Sequence, residues 1–199
     1  MKIALIIGAN SDIACSAIDL LKDEYHIVAV DRKVIDLADS TAELRINMAL
    51  TMSNPDVVVN CAGVFKDNAD ANYDTTFDVN LKSNWSVIDH YIKNPPAKPV
   101  KVIMLGSSVY KQGRRNFILY AASKAALFNM WQGASEAVSE NVKLGLINPV
   151  HVLTKMVAHK PHPNPEICLE PIDVAQEIKN LCSMTESRYI DIDYKKGLK

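Results

Sequence analysis

Short apolar runs alternate along this chain with longer stretches whose apolar residues recur every three or four positions. Residues 3–7, 26–30, 57–60, 100–105 and 143–148 are nearly uniformly apolar, the pattern of strands covered on both faces. Residues 188–193 set Ile190 and Ile192 against polar neighbours and read as a last, edge-like strand. Between these runs, 13–23, 40–52, 72–93, 117–140 and 172–183 are rich in helix formers with apolar residues at helical spacing. Strand alternating with helix predicts an α/β fold, a single Rossmann-like, doubly wound parallel sheet with helices on both faces. The longest irregular stretch, 150–171, holds Pro161, Pro163 and Pro165 and has the length of a lid or binding loop.

Composition narrows the function classes. At 199 residues and 48% hydrophobic content the chain can bury one sizeable core, and one domain over 1–199 is expected. A net charge of -1, with both signs mixed throughout, leaves no footprint for nucleic acid or an anionic membrane. Cys15, Cys61, Cys168 and Cys182 are too widely spaced for a zinc site or a disulfide framework, and His159 and His162 alone on a proline-rich loop make no metal site. With no apolar segment near the ~20 residues of a membrane span, the expectation is a cytoplasmic protein in a reducing compartment.

Three local patterns carry chemistry. The first strand runs into Gly8-Ala-Asn-Ser-Asp-Ile-Ala14 and then a helix, so the turn either offers free N–H groups to an anion or uses Asn10, Ser11 or Asp12 simply as a cap. The second strand ends at Asp31, about 20 residues on, the offset at which a carboxylate meets a ribose 2′-hydroxyl; a turn-forming aspartate is the alternative. Tyr120 and Lys124, four apart on a helix, share a face, and a phenol beside an ammonium in a dry cleft can serve as an acid or base. By itself that spacing also fits two surface residues.

Taken together with Asn60-Cys-Ala-Gly63, Asn80, Gly106-Ser-Ser108 and Asn148-Pro149, these patterns resemble the short-chain dehydrogenase/reductase family in order and spacing over essentially the whole chain. Ser107 stands thirteen residues before Tyr120, where that family has its catalytic serine. The resemblance implies an NAD(P)-dependent oxidoreductase that interconverts a small carbonyl and a secondary alcohol. In it Tyr120 exchanges the proton, Lys124 lowers the phenol pKa and holds the nicotinamide ribose, Ser107 bonds the substrate oxygen, and Asn80 anchors a water leading to Lys124. The cofactor would be bound by Gly8, Asn10, Ser11, Asp12 and Ile13 at the turn; Asp31, Arg32, Asp36 and Leu37 at the adenosine end; Asn60, Ala62 and Gly63; and Pro149 and Thr154 near the nicotinamide.

Departures from the family pattern qualify this. Asp12 and Ala14 replace the second and third glycines, and the carboxylate of Asp12 would stand near a pyrophosphate. Val150 replaces the glycine after Pro149. The compact stretches 31–40 and 150–171 suggest an open cleft. Asp31 favours NAD over NADP, although Arg32 and Lys33 adjoin it. Arg114, Arg115, His151 and Lys155 are candidate ligands for an anionic substrate such as a sugar phosphate, solvated loop charges being the plainer reading. Trp85, Ile88, Ile92, Phe128 and Trp131 give two helices enough apolar surface for a homodimer or homotetramer, or for core packing alone. A non-catalytic dinucleotide sensor and an epimerase or lyase using transient hydride transfer remain alternatives.

Overall fold

In the computed structural model, which describes residues 1–160 and 162–194, the predicted strands form one sheet. They are β1 (Lys2–Ile7), β2 (Tyr25–Val30), β3 (Val57–Asn60), β4 (Val100–Leu105), β5 (Val142–Pro149) and β6 (Arg188–Ile192). All pair in parallel, in the order β2-β1-β3-β4-β5-β6. The helices are α1 (Asp12–Leu21), α2 (Ala42–Ser53), α3 (Tyr73–Phe77), α4 (Ser83–Lys93), α5 (Ile118–Ala137) and α6 (Pro171–Leu181).

The uniformly apolar strands are explained by the two cores they separate. Along β1, Ala4 and Ile6 face α1 and α6, while Leu5 and Ile7 face α2, α4 and α5. Because successive side chains point to opposite faces, a strand buried on both sides must be apolar at every position. Gly145 of β5 is small because α6 presses on it: an added Cβ would lie 2.9 Å from Leu181 Cδ1. Ile88 and Trp131, weighed above as oligomer surface, belong to the core, and Trp131 donates its indole N–H to Leu144 O at 3.1 Å. Phe128 stacks on Tyr110 at 4.2 Å, whereas Trp85 stays 42% exposed.

Strand order sets where a ligand can bind. From β1 the chain goes out to β2, then returns through α2 to β3 on the other side of β1, so the direction of winding reverses between β1 and β3. Crevices in doubly wound sheets open at such reversals, outside the carboxyl ends of the strands. Among the described residues the sheet stops at β2, without the further strand that the 3-2-1-4-5-6 order would place beyond it. That is where the compact 31–40 segment shortens the chain.

The stretch expected as one helix over 72–93 is interrupted. A five-residue π-turn, Asp78–Lys82, separates α3 from α4. The loop 150–170 is tethered at its base by Leu153 N–H to Leu169 O at 2.8 Å and Leu169 N–H to His151 O at 3.0 Å, and it crosses the carboxyl end of the sheet. Pro161 lies outside the described residues.

Candidate active site

At the carboxyl end of the sheet lies a cleft of about 610 Å³, continuous with a smaller one of about 280 Å³. Both are lined by Asn10, Ser11, Cys61, Ala62 and Gly63, so these residues form the waist of a two-lobed site. Ser107, Tyr120, Lys124, Pro149 and Thr154 line the larger lobe; Asp31, Arg32, Asp36 and Leu37 line the smaller.

The waist depends on Gly8. Its φ of 74° is in the left-handed region, and an added Cβ would stand 2.6 Å from Ala62 N, so the turn after β1 can hug the turn after β3 only with glycine there. Ser11 caps α1, accepting Ala14 N–H at 3.2 Å. Asp12 is therefore free of capping duty and turns to the loop instead: Oδ2 accepts Lys155 N–H at 2.7 Å and Oδ1 lies 3.2 Å from Lys155 Nζ. The backbone N–H of Lys155, then its ammonium, hold the Asp12 carboxyl below the usual range against a modest desolvation.

In the smaller lobe Asp31 is both turn former and cleft wall. Oδ1 accepts Lys33 N–H at 2.8 Å and Val34 N–H at 3.1 Å, and Oδ2 accepts Asn10 Nδ2–H at 2.7 Å. These bonds, the Val34 N–H foremost, lower its pKa and keep it anionic. Arg32 Nε donates to Asp36 Oδ2 at 3.1 Å, which directs the guanidinium to its own loop.

Asn60 and Asn80 are buried behind these walls. Asn60 Nδ2 donates to Ser83 Oγ at 2.9 Å and to Asn84 Oδ1 at 3.0 Å, while Oδ1 accepts Ala62 N–H at 3.1 Å. Asn80, in the π-turn, accepts Val64 N–H at 2.8 Å and donates to Val64 O and Ser123 Oγ, both at 3.0 Å. The two side chains brace the β3 exit loop against α4 and α5, which is how the small-residue turn at the waist is held open.

In the larger lobe, helix α5 brings Tyr120 and Lys124 to the exit of β4. Lys124 is 4% exposed and donates from Nζ to Leu105 O at 2.8 Å, and burial pulls its pKa down to about 8. Its ammonium lies 5.7 Å from the Tyr120 ring centroid. Burial raises the Tyr120 phenol, and the hydrogen bond from Ser107 offsets this only in part. In this geometry Lys124 gives one N–H to a main-chain carbonyl, and desolvation is the first cause of the Tyr120 shift.

The 150–170 loop forms one wall of the cleft. Lys155 on Asp12 and Lys160 on Asp67 fasten the 150–170 loop on two sides, and Met156 Cε comes within 3.5 Å of where a Gly63 Cβ would be. Sequence reasoning missed the aromatic wall on the substrate side. Phe65 packs edge-on against Tyr120 at 4.9 Å and near Phe117 at 5.2 Å. Its position just after the small-residue turn was the available signal. Of the four residues weighed for an anionic substrate, Arg114, His151 and Lys155 line this lobe, with Lys155 bonded to Asp12, and Arg115 lies outside it; burial, then the neighbouring His162, lowers the His151 pKa, so its imidazole is neutral at neutral pH. Among the described residues no cluster of three His, Cys, Asp or Glu could hold a metal, and no helix is long and apolar enough to cross a membrane.

A family profile described as short chain dehydrogenase matches residues 50–164. No curated protein matches the chain in sequence. Among solved structures the chain is similar to 4-hydroxyisoleucine dehydrogenase complexed with NADH, with TM-score 0.80 and 22% identity over 97% of each chain. It is also similar to the 3-alpha-hydroxysteroid dehydrogenase from Pseudomonas sp. B-0831 complexed with NADH, with TM-score 0.79 and 19% identity over 96% of this chain and 95% of that one. A third similar structure is a blue fluorescent protein from a metagenomic library in complex with NADPH, with TM-score 0.78 and 18% identity over 99% of this chain and 98% of that one. At these identities the likeness is one of fold.

Proposed function

Because this chain belongs to the short chain dehydrogenase family, and is by that membership an oxidoreductase, we propose that it interconverts a small carbonyl compound and its secondary alcohol with NAD as hydride carrier. The fit of the cofactor rests on the two-lobed cleft, whose waist lies at the turn of Gly8 and the start of α1, with a carboxylate in one lobe and the Tyr120 set in the other. Bound NAD(P) would supply or accept the hydride at the reacting carbon. Asp31 would accept a bond from a ribose 2′-hydroxyl and repel a 2′-phosphate, and Arg32, the residue suited to a phosphate, is engaged by Asp36. Both points favour NAD.

The chain's own residues account for the proton. In reduction, Tyr120 gives its phenolic proton to the carbonyl oxygen as negative charge develops there, Ser107 donates a second hydrogen bond to that oxygen, and solvent later reprotonates the phenolate. At neutral pH the phenol holds its proton, and burial raises it further, so the proton that reduction consumes is in place. Lys124 carries positive charge beside Tyr120 and can offer a ribose hydroxyl the N–H bonds that Leu105 O leaves free. Phe65 and Phe117 exclude water from one side of the phenol.

Arg114, in the wall of the larger lobe, fits a substrate bearing an anionic group, such as a sugar phosphate, with the neutral His151 as a further hydrogen-bonding group. Association into a homodimer or homotetramer through α4 and α5 belongs to the same reading, with Trp85 exposed on α4.

The observation that carries the proposal is the meeting of Ser107, Tyr120 and a buried Lys124 in the cleft. Its test is Tyr120→Phe, titrated with NADH and NADPH by fluorescence and assayed on a panel of ketones, aldehydes and sugar phosphates. The variant should bind NADH as the wild type does and lose turnover by about 100-fold or more. Wild-type binding without turnover on any substrate would favour the non-catalytic sensor, and tighter NADPH than NADH binding would overturn the role given to Asp31.

A further inference from the structure

Asp12 is the one departure from the family pattern that puts a full negative charge at the start of α1, beside the waist of the cleft, and the structure shows where that charge goes. The carboxylate reaches across to the 150–170 loop and takes both the backbone N–H of Lys155, at 2.7 Å, and its ammonium, at 3.2 Å. The backbone bond fixes Lys155 at the start of the 3₁₀ turn Lys155–Val157. The ammonium is held more loosely, for the Lys155 side chain is 90% exposed, and only one of its three N–H donors is needed by Oδ1. Asn10, Ser11, Ile13 and Thr154 line the same cleft as Lys155. The first N–H groups of α1, a ten-residue helix, open onto the same space, and their partial positive charge favours an anion.

We propose that Lys155 binds the diphosphate of the dinucleotide, with Asp12 as its anchor, so that the carboxylate at the glycine position recruits a lid cation to the phosphates rather than repelling them. This rests on the reading of the cleft as an NAD site. Neutralised by Lys155, Asp12 no longer opposes the helix dipole, and the spare donors of the ammonium are within a side-chain rotation of an anion lodged over the turn. The residue that bonds the phosphates is then also the one that fastens the loop to the start of α1, beside Met156, which lies over Gly63. Lys155 thereby leaves the set of candidate substrate ligands and joins the cofactor site.

Lys155→Met, Asp12→Asn and the double variant would be titrated with NADH, ADP-ribose and adenosine, by fluorescence for the first and calorimetry for the others. Lys155→Met should weaken NADH and ADP-ribose about tenfold or more, because it also uncovers the Asp12 carboxylate, and should leave adenosine unchanged. Adding Asp12→Asn should recover about threefold or more of that loss, since the uncovered charge is then gone. NADH affinity of Lys155→Met within twofold of wild type, an equal loss for adenosine, or no recovery in the double variant would each overturn the proposal. Wild-type protein that binds neither NADH nor NADPH would remove the dinucleotide reading and this inference with it, whereas normal wild-type binding with an unaffected Lys155→Met would remove this inference alone.

Discussion

Lys124 carries a charge into the interior of the protein, and its surroundings set its chemistry more than its residue type does. At 4% exposure the ammonium has exchanged hydration for a single bond to Leu105 O, and its pKa falls from 10.5 to about 8. A lysine with a depressed folded pKa affects stability in a defined window. Below pH 8 both states hold the proton and the full cost of burying the charge is felt; between 8 and 10.5 the unfolded state binds the proton that the folded state has released, so stability rises with pH. Comparing denaturant midpoints of wild type and Lys124→Met at pH 7 and pH 10.5 should show the wild type gaining about 3 kcal/mol on the variant. A difference independent of pH would mean that Lys124 is solvated. Spacing alone made Tyr120 and Lys124 legible as a pair, but not the direction of either shift, because desolvation is a property of what closes over them. Phe65 and Leu105, which do so, are remote in sequence from α5.

The helical stretch from Tyr73 to Lys93 shows the same division one level up. Its apolar spacing announced a helix, while the π-turn at Asp78–Lys82 left no mark in the pattern. The family resemblance set Asn80 apart, while nothing in the pattern singled out Ser83 or Asn84; all three are buried, where they meet Asn60, Val64 and Ser123 from the β3 exit and α5. A single wide turn directs the Asn80 side chain to both backbone groups of Val64. Asn80→Ala would leave the Val64 N–H and C=O without their partners, and unfolding in urea should show a loss of about 3 kcal/mol. An unchanged midpoint would show that water replaces the side chain and that the network does not hold the β3 exit loop in place.

For the whole molecule, shape follows from the reversal between β1 and β3, which puts a cleft at the carboxyl ends of the strands, and from the 150–170 loop that walls one side of it. Lys155 on Asp12 and Lys160 on Asp67 hold that short loop beside the cleft. Beyond one chain, light scattering at micromolar concentration should report a homodimer or homotetramer, and a strict monomer would refute association through α4 and α5. The sequence by itself determined the strands and nearly all the helices, because burial on one face or two imposes a period that survives in any tertiary setting. It also pointed to Gly8 as a turn glycine and, through the family resemblance, to Ser107, Tyr120 and Lys124 as candidate site residues, since their order and spacing are kept along the chain. Only the tertiary structure decided that Asn60 and Asn80 are braces, that Trp131 is core, and that Asp12 holds Lys155. Each of those depends on which distant group arrives at 3 Å, and hydrophobic periodicity records how deeply a position is buried, not which partner it meets.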